Sequence, residues 1–92
     1  MSILVRFAPP ALTTELYEET IRRLTENGDW PSPEGMEYHV CFGPSDKLNV
    51  SEILSSEEAF AAHGERLMPV LAEVGVDPGE PQFIEVHATV RP

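Results

Sequence analysis

The apolar positions of this chain recur with two periods, and the changes between them outline six elements. The segment "SILVRF" (2–7) is rich in β-branched and aromatic residues and predicts a first strand, which Pro9 and Pro10 stop. In "TTELYEETIRRLTEN" (13–27), Leu16, Tyr17, Thr20, Ile21 and Leu24 share one face at helical spacing. Glu15, Glu18 and Glu19 come early in that helix and Arg22 and Arg23 late, the order its dipole favours. Asn27 and Gly28 end it. The turn-rich "GDWPSPEG" leads into "MEYHVCF" and "KLNVSEIL", two strands joined by a tight "GPSD", hence a hairpin. Ser55 and Glu58 have capping-box spacing, so a second helix starts at Ser55 or Ser56. Its apolar stripe is Phe60, His63, Gly64, Leu67, Leu71 and Val74. Pro69 inside it predicts a kink or break, and Gly75 a C-cap. "QFIEVHATV" (82–90) is the last strand.

The order is βαββαβ. Short connections and right-handed crossovers turn it into an α+β ferredoxin-like sandwich, one domain over residues 1–92. A four-stranded antiparallel sheet in the order 4-1-3-2 carries both helices on one face. Strand alternation then assigns the faces. Ile3, Val5 and Phe7, Met36, Tyr38, Val40 and Phe42, and Ile84, Val86, Ala88 and Val90 are expected beneath the helices. The third strand reads either way: Leu48, Val50, Glu52 and Leu54 alternate with Asn49, Ser51 and Ile53. The helix-free face is then mixed, with Leu4, Cys41, Ile53 and Phe83 among Arg6, His39, Ser51, Glu85 and His87. A mixed face suits a second sheet packed against it, which a symmetric homodimer supplies.

Size sharpens that expectation. A chain of 92 residues buries only about 60–65% of the surface its unfolded form exposes. Its single cysteine excludes an internal disulfide, and there is no CxxC or HExxH, so no metal is expected and self-association is the expected support. Length and topology exclude a flavin or nicotinamide fold, so no cofactor is expected either. Sixteen acidic residues face six basic ones, a net charge of −10, which argues against nucleic acid and against an anionic membrane surface as partners. No window approaches the roughly 20 apolar residues of a membrane span. "MSILVRFAPP" lacks a charged leader, and one unpaired thiol fits a reducing cytoplasm.

The element order, "LNVSEILSSEEAF" closing a strand into a helix, and "GERLMPVLAEVGV" resemble the dimeric α/β-barrel superfamily. Within it the chain is most similar to small proteins grouped with the antibiotic biosynthesis monooxygenases, over nearly its whole length. The resemblance implies a dimer whose two sheets close a barrel. It also implies an activity among cofactor-free monooxygenases, isomerases, haem-degrading enzymes and proteins of unassigned role. Some relatives carry Trp at the last strand position before the "SSEEAF" helix, where it lines a ligand cavity; this chain has Leu54. Its only tryptophan, Trp30, lies in the loop before the second strand, where a lid would sit.

The candidate chemistry rests on few residues. His39 and Cys41 share a strand face with Cα atoms roughly 6.5–7 Å apart, too far for the contact of about 3 Å that a nucleophilic pair needs. An inert buried thiol beside an interface histidine fits better. His39 and His87 sit on opposite edge strands, so a barrel dimer would bring one near the partner's copy of the other; an ordinary interface hydrogen bond for each fits better. His63 lies on the apolar stripe of the second helix, either as a satisfied core histidine or as the polar group of a pocket with Tyr38 and Glu52. Glu52 shares a face with Leu48, Val50 and Leu54. If that face is buried, its carboxyl needs a partner (Arg6, Arg66 or His63) or a raised pKa. Two readings follow. In the first, the protein is a cofactor-independent oxygenase, or a related isomerase or cyclase, acting on a small aromatic or polyketide-like substrate. Glu52, His39, His63 or His87 supplies the base, and Tyr38, Trp30 and Phe60 the wall. In the second it is a non-catalytic dimer that binds a small ligand or another protein.

Overall fold

The computed structural model describes residues 1–31 and 33–90. Its elements are β1 (Ile3–Phe7), α1 (Thr14–Glu26), β2 (Met36–Phe42), β3 (Asn49–Leu54), α2 (Glu57–Val74) and β4 (Gln82–Glu85). The sheet has the order β2-β3-β1-β4, and every neighbouring pair is antiparallel. This is the ferredoxin-like α+β sandwich, with β2 and β4 at the edges.

Local chemistry fixes the helix ends. Thr13 caps α1, its hydroxyl accepting from the Leu16 amide at 3.2 Å. Ser56 caps α2 by accepting from the Ala59 amide at 3.0 Å. Gly75 ends α2 in the left-handed conformation, φ 88°, and the Gly75 and Val76 amides both donate to the Leu71 carbonyl. Pro69 does not break α2, which runs through it. Pro69 and Glu65, whose carbonyl loses its amide partner to the proline, both lie on the exposed side, so that carbonyl is not left in the core. Arg23 on α1 reaches Glu73 on α2 at 3.0 Å and ties the two helices together.

The core lies between sheet and helices. Val5, Phe7, Leu48, Val50 and Leu54 meet Leu12, Leu71 and Val76 there. Fully burying one such side chain is worth about 1.5–3 kcal/mol. Leu48 donates its amide to the Leu12 carbonyl at 2.8 Å, which fastens the β2–β3 hairpin to the loop before α1.

Two strand faces depart from the alternation reading. In β2, Met36 pairs with Leu54 but Tyr38 pairs with Ile53, so Glu37 is an extra, bulged residue. Everything after it changes side: His39 and Cys41 face the helices, and Tyr38, Val40 and Phe42 face away. In β4, Phe83 pairs with Val5 and Ile84 with Leu4. Phe83 therefore lies on the helix side, with its ring 5.3 Å from Phe60, and Ile84 faces away. β4 also stops at Glu85, because β1 begins at Ile3 and offers no further ladder partner; one more bond, Val86 amide to Ser2 carbonyl, continues it. The helix-free face thus carries Leu4, Tyr38, Val40, Phe42, Ile53 and Ile84. It is more apolar than alternation predicts.

Candidate active site

The β2 bulge sets up the site. It turns His39 inward, directly across the ladder from Glu52 on β3. From above, α1 supplies Tyr17, α2 supplies His63, and the loop after α1 supplies Trp30. The Tyr17 hydroxyl lies 2.8 Å from His39 Nε2. His39 Nδ1 is 3.8 Å from Glu52 Oε1, and His63 Nε2 is 3.6 Å from Glu52 Oε2. The Trp30 ring meets His39 edge-on, with centroids 4.7 Å apart.

Burial governs the charges. Glu52 is only 2% exposed, and loss of water around its carboxyl pushes its pKa up to about 7. Burial, with a smaller contribution from His63, pushes His39 down to about 4. His63 is also lowered, chiefly by burial; the Asp29 carboxylate opposes that and Arg66 adds to it. Burial, then Cys41 and Glu52, drive Tyr17 up to about 12. The two histidine–carboxyl contacts count as ion pairs only if the imidazoles are charged. Both exceed hydrogen-bond length, so desolvation outweighs attraction and the neutral forms prevail. His39 Nδ1, Glu52 Oε2 and His63 Nδ1 are buried without a hydrogen-bond partner. The tautomer with Nδ1–H toward the carboxyl leaves His39 Nε2 to accept from Tyr17.

These groups open on a cavity of about 60 Å³, walled by Phe7, Leu12, Leu24, Val50, Leu71 and Val76 and by Tyr17 and Trp30. An engineered cavity of roughly 150 Å³ takes up benzene. A ring-sized ligand therefore has to displace Tyr17 or Trp30, which flank His39. Among the described residues no group of three His, Cys, Asp or Glu is arranged to hold a metal ion.

Trp30, His39, Glu52 and His63 come together as candidates from the sequence; the others do not join them. His39 lies under the helices, so it is absent from the face where a partner's His87 would approach. His87 is exposed beyond the end of β4. Tyr38 is 49% exposed on the helix-free face, carried there by the bulge, and forms no pocket with His63 and Glu52. Phe60 packs against the Phe7 and Phe83 rings and does not itself line the cavity. Leu54 is fully buried packing. Arg6 points away from Glu52 on the helix-free face, and Arg66 pairs with Asp29 at 3.2 Å. Burial raises the pKa of the Cys41 thiol, which keeps it protonated. Tyr17 is the residue missed. Its place on the α1 apolar face, one turn before Thr20, was the available signal.

No helix among the described residues is long and apolar enough to cross a membrane. No family model matches the chain, and no curated protein matches it. Solved structures do. The crystal structure of SnoaB, a cofactor-independent oxygenase from Streptomyces nogalater, matches with a TM-score of 0.63 at 12% identity, over 99% of this chain and 96% of that one. A single-residue variant of SnoaB matches at 0.61 and 12%, over the same shares. A Deinococcus radiodurans protein assigned to the antibiotic biosynthesis monooxygenases matches at 0.59 and 10% identity, over 100% of this chain and 98% of that one. Such identities carry the fold and nothing finer: from end to end, this chain has the ferredoxin-like fold of these oxygenase structures.

Proposed function

We propose that the protein is a cofactor-independent oxygenase acting on a small electron-rich aromatic or polyketide-like substrate. The observation that carries this reading is Glu52, a buried carboxyl held between two neutral imidazoles at an apolar cavity. A carboxyl with a pKa near 7 is half ionised at neutral pH, where a general base works best. His39, backed by Glu52, takes the proton; a substrate hydroxyl replaces Tyr17 at Nε2. The resulting anion is itself the reductant. An activated ring methylene reacts with dioxygen through a hydroperoxide to give a carbonyl and water, CH₂ + O₂ → C=O + H₂O, and the four electrons come from that carbon. The hydrocarbon walls keep water from the reactive anion. The fold shared with SnoaB supports the reading.

The same proposal includes a homodimer closed through the helix-free face, whose six apolar positions leave Tyr38, Phe42 and Ile84 substantially exposed in the single chain. The lone thiol of Cys41 suits a reducing cytoplasm.

The test is oxygen uptake with a panel of hydroxylated anthrones, using ¹⁸O₂ to trace the new carbonyl oxygen. Turnover by the wild type, lost in a Glu52→Gln variant that stays folded and still binds substrate, is the expected result. An isomerase or cyclase would use the same base without consuming dioxygen. The small size of the cavity favours a second reading, a non-catalytic dimer. Under it, Glu52→Gln changes stability alone and no compound in the panel turns over.

A further inference from the structure

Glu52 faces two imidazoles from different layers. Oε1 looks at His39 Nδ1 in the sheet at 3.8 Å, and Oε2 at His63 Nε2 on α2 at 3.6 Å. Both gaps are too long for a hydrogen bond. They are too short for an interposed water, which holds the atoms it joins roughly 4.5–5.5 Å apart. A small rotation lets the carboxyl close on either ring, one at a time. His63 Nδ1, the other nitrogen of that ring, is buried and has no hydrogen-bond partner. His63 also feels Asp29 and Arg66, which pair with each other at 3.2 Å, and the Arg66 side chain is 61% exposed.

We propose that His39, Glu52 and His63 form a proton relay across the core, with Glu52 handing the proton between the two rings and His63 as the outlet toward the Asp29–Arg66 pair. The proposal rests on the oxygenase reading only for the origin of the proton. His39 Nε2 takes a proton from the substrate, and its Nδ1 proton passes to Glu52 Oε1. The proton on Oε2 passes to His63 Nε2, and His63 passes its Nδ1 proton to the Asp29 carboxylate, which is partly exposed and hands it to solvent. One proton enters and one leaves, so no net charge stays buried. Run backwards, the relay returns a proton to the oxygen that leaves as water and resets both tautomers. The ionisable groups packed around it are Tyr17 from α1, Cys41 from β2, Arg66 from α2 and Asp29 from the loop.

Long-range ¹H–¹⁵N NMR of the full-length protein, with labelled histidines and no substrate, reads the protonation of each ring nitrogen against pH. The relay predicts one shared step, at the Glu52 midpoint of about 7, in the nitrogen shifts of both His39 and His63. It also predicts loss of that step from both rings in Glu52→Gln. A step at His39 alone, or at neither ring, overturns the relay. Should Glu52→Gln fail to fold, Asp29→Asn serves instead. Removing that outer carboxylate should then shift the tautomer populations of His63 and, through Glu52, of His39; an effect confined to His63 overturns the proposal. Oxygen uptake without a His63 step would sink the relay and keep the oxygenase. A His63 step without uptake by any compound would do the reverse.

Discussion

Glu52 and His39 are direct partners across the β2–β3 ladder, and their side chains stop 3.8 Å apart, carboxyl Oε1 to imidazole Nδ1. Both groups are held toward their neutral forms, whereas in water at mildly acid pH the carboxyl would be ionised and the imidazole protonated. Burial moves Glu52 from 4.5 up to about 7 and His39 from 6.5 down to about 4.

The two shifts act oppositely on stability. The Glu52 contribution is full below pH 4.5 and lost as pH rises through about 7. The His39 contribution is full above pH 6.5 and lost as pH falls through about 4. Between 4.5 and 6.5 the slopes oppose, so this pair leaves wild-type stability nearly flat. Each single variant should expose the other slope. Glu52→Gln should gain stability as pH rises over that window, and His39→Gln should lose it, each by about 3 kcal/mol. Urea unfolding at several pH values measures this. Parallel profiles for wild type and both variants would contradict it.

Tyr17→Phe removes the hydroxyl that donates to His39 Nε2 at 2.8 Å. A net loss of about 1 kcal/mol is expected. The His39 midpoint should rise, because the hydroxyl stabilises the neutral ring. Thermal melts and histidine NMR read the two effects separately.

The helix-free face should govern self-association. Tyr38→Asp with Ile84→Asp puts charge among its apolar positions, far from the helix-side core. The dimer dissociation constant should rise at least about tenfold, or 1.4 kcal/mol, with the circular dichroism spectrum unchanged. Light scattering on the eluting peak decides; a monomeric wild type would remove the premise.

Gly35 has φ +84°, and a Cβ there would lie 2.5 Å from the Ala59 Cβ. Its carbonyl accepts from the Ser55 amide at 2.8 Å. Gly35→Ala strains the backbone and pushes α2 from the start of β2, so a loss of roughly 1–3 kcal/mol is expected. A melting temperature equal to wild type would refute this.

Elements, order and topology were legible because capping residues, turn residues and two hydrophobic periods agree with one another. Glu52 was legible as well, as a carboxylate on an otherwise apolar strand face. The sides of β2 and β4 were not. Alternation holds only while no residue is inserted, and nothing in "MEYHVCF" marks Glu37 as the inserted one. In the last segment the apolar run Ile84, Val86, Ala88, Val90 looks like a core face, yet it is Phe83 that meets Phe60 on the helix side. Tyr17 was read as packing, since a half-buried tyrosine on a helix face does not disclose which polar atom its hydroxyl meets.

The bulge at Glu37 also gives β2 one residue of slack. Removing Glu37 would join Met36 to Tyr38 in unbroken alternation, and each would keep its partner, Leu54 and Ile53. A chain without the bulge would be one residue shorter at this point and would still set the residue after Tyr38 directly across from Glu52. An ungapped match anchored on Met36 would set His39 against an outward-facing position of such a strand, whereas one anchored on Tyr38 would keep the imidazole opposite the carboxylate.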